Sequence, residues 1–107
     1  MKAEQLKGHL ELLLLAVLEG RPAHGYAIIA TLREQSEGAF DLPEGTVYPA
    51  LHRLERAGQL RSAWADLGGR RRRVYQISGA GAAALAHRRE EWSRFASGVD
   101  AVLGWSM

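Results

Sequence analysis

The chain has 107 residues, of which 47% are apolar and 24% charged, and a formal net charge of +2. This length and composition suit one globular domain with a single small core. The chain contains no cysteine, which excludes a disulfide scaffold and a thiolate metal site. Its longest apolar run, Leu12 to Leu18, has seven residues, whereas a bilayer span needs about 20. Charged residues interrupt the N-terminus, so no signal peptide is predicted and a cytoplasmic protein is expected.

Apolar periodicity predicts two helices in the first part of the chain. The first is expected over residues 4–19, where a broad apolar stripe is joined by Leu12 and Leu15 on a second face. A helix that is apolar nearly all round is buried on more than one side, so we expect a partner subunit to cover part of it. The second helix is expected from about His24 to Glu37. Gly25 in its first turn costs about 1 kcal/mol relative to alanine, which indicates the close approach of another backbone.

A third helix is predicted from Glu44 to the glycine stop at Gly58. Its apolar residues recur at i, i+4 and i+7 and form one face: Val47, Leu51 and Leu54. The opposite face is rich in hydrogen-bond donors and poor in carboxylates, as a helix in a DNA groove requires. That face carries Gly45, Pro49, His52 and Arg56, flanked by Thr46, Tyr48 and Arg53. The short loop before this helix gives helix-turn-helix connectivity.

A cationic hairpin is predicted after the third helix. Strand-like alternation over Leu60–Asp66 and Arg73–Ile77 leaves Leu67–Arg71 as the connecting loop. The segment Arg53–Arg73 holds seven arginines against two carboxylates, a net charge of +5, whereas the remaining residues sum to −3. This dipolar charge distribution is the footprint of a polyanion binder. For the arginines taken alone, an ordinary solvated charged face is the alternative.

The last helix is predicted over Gly79–Leu103, with Ser78 as its N-cap. Leu85, Trp92 and Val99 fall on a seven-residue spacing, which is typical of a coiled-coil seam. Because the three preceding helices and the hairpin cannot cover this seam, we expect a dimer. The predicted organisation is a DNA-binding unit over residues 1–78 and a dimerisation helix over residues 79–107, forming one compact body.

The order and spacing of four motifs resemble the winged-helix module of PadR-type bacterial transcription regulators. The motifs are His24-Gly-Tyr-Ala-Ile28, Gly45-Thr-Val-Tyr-Pro-Ala-Leu51, Arg53-Leu-Glu-Arg-Ala-Gly58 and Gly68-Gly-Arg-Arg-Arg-Arg-Val-Tyr-Gln-Ile-Ser78. The resemblance covers roughly residues 10 to 105, and the single helix after the hairpin is similar to the compact branch of the family. It implies a mainly α winged helix-turn-helix fold with a small β-hairpin and a C-terminal dimerisation helix.

The resemblance also implies a homodimeric regulator, most simply a repressor, on a palindromic operator. Base edges in the major groove are expected to meet side chains of the third helix, whereas its tyrosine donates to a phosphate. The arginines of the hairpin are expected to reach flanking phosphates or the minor groove. The predicted DNA contacts are Thr46, Tyr48, Pro49, His52, Arg53, Arg70, Arg71 and Arg72.

Trp92 has two interpretations that the sequence leaves open. It is either a packed residue of the dimer seam or part of an effector site. The second follows from the resemblance, since some short PadR-type regulators have a tryptophan here that faces its symmetry mate across a hydrophobic pore. Flat aromatic molecules stack between the two rings, and Leu12 is then expected to line the same space. Stacking on an indole adds about 0.5–1.5 kcal/mol beyond area burial.

Other functional classes are less well matched by these residues. A winged helix used for protein contact should present apolar residues on the outer face of its third helix, and a non-specific nucleic-acid binder should show no operator preference. Gly79-Ala-Gly-Ala-Ala-Ala84 mimics a dinucleotide fingerprint, but the chain lacks a second parallel strand. No catalytic arrangement stands out from chance. We therefore predict no enzymatic activity, no cofactor and no metal.

Overall fold

A computed structural model describes Leu6 and residues 8–105. Within that part the chain forms four helices and one three-stranded antiparallel sheet. The elements are α1 (Leu10–Gly20), β1 (Ala23–His24), α2 (Gly25–Gln35), α3 (Glu44–Arg56), β2 (Leu60–Leu67), β3 (Arg70–Ile77) and α4 (Gly79–Leu103). The strand order is β1-β3-β2. The predicted mainly α winged helix-turn-helix is confirmed.

The main differences between the predicted and the observed elements concern the sheet and the first helix. The strand β1 was not predicted, because two residues carry no periodicity; it adds a third strand to the expected hairpin. The connection between β2 and β3 is only Gly68 and Gly69, both with positive φ, so the strands extend further than expected. The first helix begins at Leu10, after a turn in which Gly8 has a φ of 90°. The predicted start of that helix, at residues 4 and 5, lies outside the described residues.

The core lies between α1, the apolar face of α3 and the inner face of the sheet. Val47, Leu51 and Leu54 of α3 are buried there, as predicted. Leu15, on the predicted second apolar face of α1, is also fully buried within this single chain, so it needs no partner subunit to cover it. Within the chain, α1 packs against α2, α3, α4 and β3. Leu12 remains only partly buried.

The start of α4 is anchored to the winged helix by its N-cap. The Ser78 hydroxyl accepts a hydrogen bond from the Gly81 amide at 3.0 Å and donates one to the Gly58 carbonyl oxygen at 2.7 Å. Gly81 packs so closely that a Cβ there would overlap the Gln59 carbonyl oxygen. Four residues on, Leu85 is fully buried in the core. The first two turns of α4 are therefore part of the monomer's own core.

The distal part of α4 has a different environment. Beyond residue 91 the large apolar side chains on one side of the helix are exposed to solvent: Trp92, Phe95, Val99, Val102 and Leu103. They recur at three- and four-residue intervals and so form one continuous stripe. We call these five residues the distal stripe. Among the described residues, no helix combines the length and the apolar character needed to cross a membrane.

Candidate nucleic-acid interface

The outer face of α3 presents small, polar and cationic groups to solvent. Gly45, Pro49, His52 and Arg56 are all exposed, as the helical pattern predicts, and Thr46 is half-buried beside them. The whole length of this face is therefore accessible to a partner whose groove can hold a helix. Its side chains can offer donors and apolar contacts to base edges.

The N-terminal ends of α2 and α3 meet at Tyr48. A Cβ on Gly25 would overlap the Tyr48 ring and hydroxyl, so glycine at this position makes room for that side chain. The expected approach of another backbone to Gly25 is wrong, because a side chain from the neighbouring helix occupies the space. The Tyr48 phenol is thereby held at the junction of α2, α3 and the sheet.

Two phenols surround the Glu44 carboxylate at this junction. The Tyr26 hydroxyl donates a hydrogen bond to Glu44, which raises the pKa of Tyr26. Burial, followed by the charge of Glu44, raises the pKa of Tyr48. The guanidinium carbon of Arg72 lies 5.4 Å from the centre of the Tyr26 ring. Both tyrosines therefore remain protonated donors at neutral pH, next to a cation of the hairpin.

The hairpin of β2 and β3, which we call the wing, holds two of its arginines against Trp64. Directly opposed residues share one face of a sheet, and the register pairs Trp64 with Arg73 and Asp66 with Arg71. The guanidinium carbons of Arg71 and Arg73 lie 5.3 and 5.4 Å from the Trp64 ring centre. Both distances fall within the range of a cation–π interaction. The ring therefore braces two cations of the wing.

Arg73 is also tied to α3. Its guanidinium lies 3.6 Å from the Glu55 carboxylate, which accepts a hydrogen bond from the Ser62 hydroxyl at 2.5 Å. These contacts fix the angle between the wing and the helix. Arg73 therefore has a partner on α3. Arg72 and Arg73 are half-buried, whereas Arg70 and Arg71 are exposed.

A groove of about 230 Å³ separates the wing from α3. The residues that line it are His24, Gly25, Tyr48, Trp64, Arg71, Arg72 and Arg73. Three guanidinium groups and a phenol thus face one concave surface. This arrangement suits a phosphate backbone, for which arginine offers several donors in a fixed geometry.

Arg53 lies apart from this groove, on the side of α3 that faces α1. Its Nε is 3.5 Å from one oxygen of the Glu11 carboxylate, and more than half of its side chain is exposed. The other oxygen of Glu11 accepts a hydrogen bond from Arg88 of α4 at 2.7 Å. The structure therefore gives this predicted base contact an internal partner that the sequence did not indicate.

A second concave surface, of about 290 Å³, lies where α1 meets α4. The two predicted effector residues, Leu12 and Trp92, both line it. The rings of His9 and Trp92 meet edge to face, with centroids 5.1 Å apart, and Phe95 lies 5.7 Å from Trp92. Trp92 itself is 44% exposed. The cavity is therefore partly aromatic, and the stripe on the distal part of α4 continues from it.

Sequence reasoning missed four residues of the interface and its supports. Tyr26, Trp64 and Glu55 hold the wing or the helix junction, and Glu11 holds Arg53. Strand alternation places Trp64 on the same face as Leu60. The pairing register of the two strands could then have placed Trp64 beside the arginines of the second strand. No local signal points to Glu11, because its partners lie 42 and 77 positions away. Within the described residues, no group of three His, Cys, Asp or Glu side chains could hold a metal ion.

Comparison with known proteins places the chain in a family. The model of the transcriptional regulator PadR-like family matches residues 14–87. A transcriptional regulator of Mycobacterium tuberculosis is 42% identical over 67 residues, 63% of each chain. A PadR family regulator from Eggerthella lenta superposes with a TM-score of 0.81 at 31% identity, covering 94% of this chain and 86% of that one. A regulator from Clostridium thermocellum shares the fold, with a TM-score of 0.84 at 24% identity over 94% and 95% of the two chains. The chain belongs to the PadR-like family of transcriptional regulators and is not an enzyme.

Proposed function

We propose that the protein is a homodimeric repressor that reads a palindromic operator and is released when a small aromatic effector binds at the dimer interface. Residues 1–78 then bind DNA and residues 79–107 join the two copies. The observation that carries DNA binding is the geometry of one surface. The open polar face of α3 and the arginine-lined groove beside it lie next to each other.

Base reading is assigned to the outer face of α3 and to Arg53 beside it. Four side chains of α3 approach base edges in the major groove: Thr46, Pro49, His52 and Arg53. Tyr48 instead donates to a backbone phosphate, because its ring is held against Gly25 at the helix junction. Protein contacts to phosphates fix the register in which the helix enters the groove.

The wing supplies most of the electrostatic affinity. Arg70 and Arg71 are exposed near the wing tip, and Arg72 lies against Tyr26. We assign these three arginines to the flanking phosphates or the minor groove. Each phosphate contact releases counterions, so binding should weaken as the salt concentration rises.

Dimerisation is assigned to the distal stripe. Phe95 is 56% exposed and Val102 is 88% exposed in the single chain. A continuous apolar stripe of this kind marks an interaction surface, and a second copy offers a matching stripe under two-fold symmetry. The two copies of α3, the recognition helices, would then meet half-sites about one helical turn apart.

The effector is assigned to the cavity that Leu12 and Trp92 line. Its aromatic edges suit a planar aromatic molecule, which gains from offset stacking on indole. Because the cavity adjoins the distal stripe, its occupant would change how the two copies sit against each other. Binding to the operator and binding to the effector are then alternative states of one equilibrium.

Selection of preferred sites from random duplex DNA tests the DNA-binding part of this proposal. We expect a palindrome, and Arg53→Ala should cost about 1–3 kcal/mol on it and relax one base position. Replacing Arg70 and Arg71 with alanine should weaken binding to all sequences. It should also lower the slope of log affinity against log salt by about 0.9 for each lost phosphate contact. Salt-dependent binding without a preferred sequence would indicate a non-specific binder, and no binding would favour a protein partner.

Trp92→Ala tests the effector part. A planar aromatic cation should quench the tryptophan fluorescence of the wild-type dimer, and the variant should lose that ligand while remaining dimeric. Because Trp64 and Trp105 also fluoresce, the same titration of the variant is the control. If Trp92 only packs the dimer, the variant should instead dissociate, with a cost on the order of 3–5 kcal/mol. A wild-type dimer that ignores a panel of planar aromatics would contradict the effector.

A further inference from the structure

One carboxylate connects the recognition helix to the cavity between α1 and α4. The two oxygens of Glu11 contact different arginines: Arg88 of α4 at 2.7 Å and the Nε of Arg53 of α3 at 3.5 Å. Arg88 also lines the cavity that contains Trp92. The helices α1, α3 and α4 therefore meet at the carboxylate of Glu11.

The two distances rank the contacts. At 2.7 Å, Arg88 makes a short charge-assisted hydrogen bond. At 3.5 Å, Arg53 lies beyond normal hydrogen-bond length and interacts through charge alone. With about seven-tenths of their side chains buried, Glu11 and Arg88 are shielded, whereas the Arg53 side chain is 58% exposed. The carboxylate is thus largely satisfied by Arg88, and Arg53 stays available to an outside partner.

We propose that Glu11 is a positioning residue that controls Arg53, with Arg88 setting whether its carboxylate is occupied. While Arg88 holds Glu11, the guanidinium of Arg53 is available for a base edge. When Arg88 is withdrawn from Glu11, the uncompensated carboxylate pulls Arg53 into a tighter pair and away from DNA. This inference rests on the proposed operator reading, and it supplies a direct route from the cavity to one base contact.

A neighbouring ion pair provides a matched control. Arg89, the next residue of α4, binds Glu19 of α1 at 2.8 and 3.1 Å. Its pair has the same charge and joins the same two helices. Among the described residues Glu19 has no ion pair to α3. Arg89→Gln therefore removes the same charge from the same helix without freeing a carboxylate beside Arg53.

The test measures affinity on two duplexes, the selected operator and a copy changed at the base that Arg53→Ala identifies. Arg88→Gln should weaken operator binding by about fivefold or more, the lower bound for one lost guanidinium–base contact. Affinity for the altered duplex should fall no more in Arg88→Gln than in Arg89→Gln. Adding Glu11→Gln to Arg88→Gln should restore the discrimination between the duplexes to within about twofold of wild type, because no free carboxylate then competes for Arg53.

Each outcome decides between the two levels of the proposal. Equal effects of Arg88→Gln and Arg89→Gln on both duplexes, or no recovery in the double variant, would overturn the role of Glu11 while leaving operator reading intact. An operator preference that Arg53→Ala does not relax at any position would also overturn it. If the wild-type protein selects no sequence at all, the proposed function fails first.

Discussion

The wing and the distal part of α4 both project from the core, but they are stabilised in different ways. The wing is cationic, and three of its arginines, Arg71 to Arg73, are held within the chain by Trp64, Tyr26 and Glu55. The distal stripe is apolar, and it stays exposed in the single chain. Exposing charged groups to water costs no free energy, whereas exposing a continuous apolar stripe does.

This difference shows which surface is already ordered in the single chain, before a partner binds. The wing is arranged in advance, so little ordering of its arginines remains when an anion binds. The distal stripe is apolar and exposed in the single chain, and in the proposed dimer it packs against a second apolar surface. Substitutions on the wing should therefore change DNA binding with little effect on assembly, whereas substitutions on the stripe should change assembly first.

The largest effect is expected for a charge on the distal stripe. Val99→Glu should weaken dimerisation by about 3 kcal/mol or more, because the association would bury an unpaired carboxylate. Sedimentation equilibrium measures this loss. Ser97→Glu is the control, since Ser97 is exposed and lies about 200° around the helix from Val99. Equal weakening by both variants would mean that the stripe is not the dimer contact.

A smaller effect marks the point where α4 leaves the core. Gly81→Ala should lower the free energy of unfolding by about 1–3 kcal/mol, because the new methyl group meets the Gln59 carbonyl oxygen. At Gly79 a Cβ would have no neighbour within 4 Å. Gly79→Ala should therefore stabilise the protein by about 0.4–1 kcal/mol. Chemical denaturation of both variants checks the signs, and a stable Gly81→Ala would contradict the close packing.

The bracing of the wing predicts a still smaller effect. Trp64→Ala should weaken DNA binding by about 0.5–1 kcal/mol through loss of the cation–π contacts. The slope of log affinity against log salt should stay unchanged, because every arginine of the wing keeps its charge. Trp64→Phe should recover much of the loss. A changed slope would instead mean that contacts between arginines and phosphates are lost.

The smallest effect concerns His24, which joins the wing to α2. Its Nδ1 accepts a hydrogen bond from the Ala27 amide, and burial, followed by the charge of Arg72, lowers its pKa. An imidazole with a lowered folded pKa contributes stability above its unfolded pKa of about 6.5, and this contribution is lost as the pH falls through the folded pKa. His24→Asn keeps a capping acceptor but does not titrate. Its unfolding free energy should fall less than that of the wild type below pH 6.5, and parallel curves would contradict the assignment.

The sequence predicted features that repeat along the chain and missed those that depend on distant contacts. The bounds of α4 and the buried face of α3 follow from periodicity and from the Ser78 cap. Leu12 and Leu15 were placed together on a second apolar face of α1, but a helical pattern cannot show that neighbours in the same chain bury Leu15 and leave Leu12 partly exposed. Gly25 indicated a close approach, but only the fold shows that Tyr48 makes it. The contact between Glu11 and Arg53 depends on how α1 packs against α3, which no local pattern specifies.

The most direct test of a dimeric operator-reading protein is a change in the spacing between half-sites. Binding is measured on the selected palindrome and on a duplex with about 5 base pairs, half a helical turn, inserted at its centre. We expect two copies per duplex and a loss of most of the affinity on insertion. The two copies of α3 in one dimer cannot reach opposite faces of the DNA. One copy per duplex, or equal affinity for both spacings, would contradict the account.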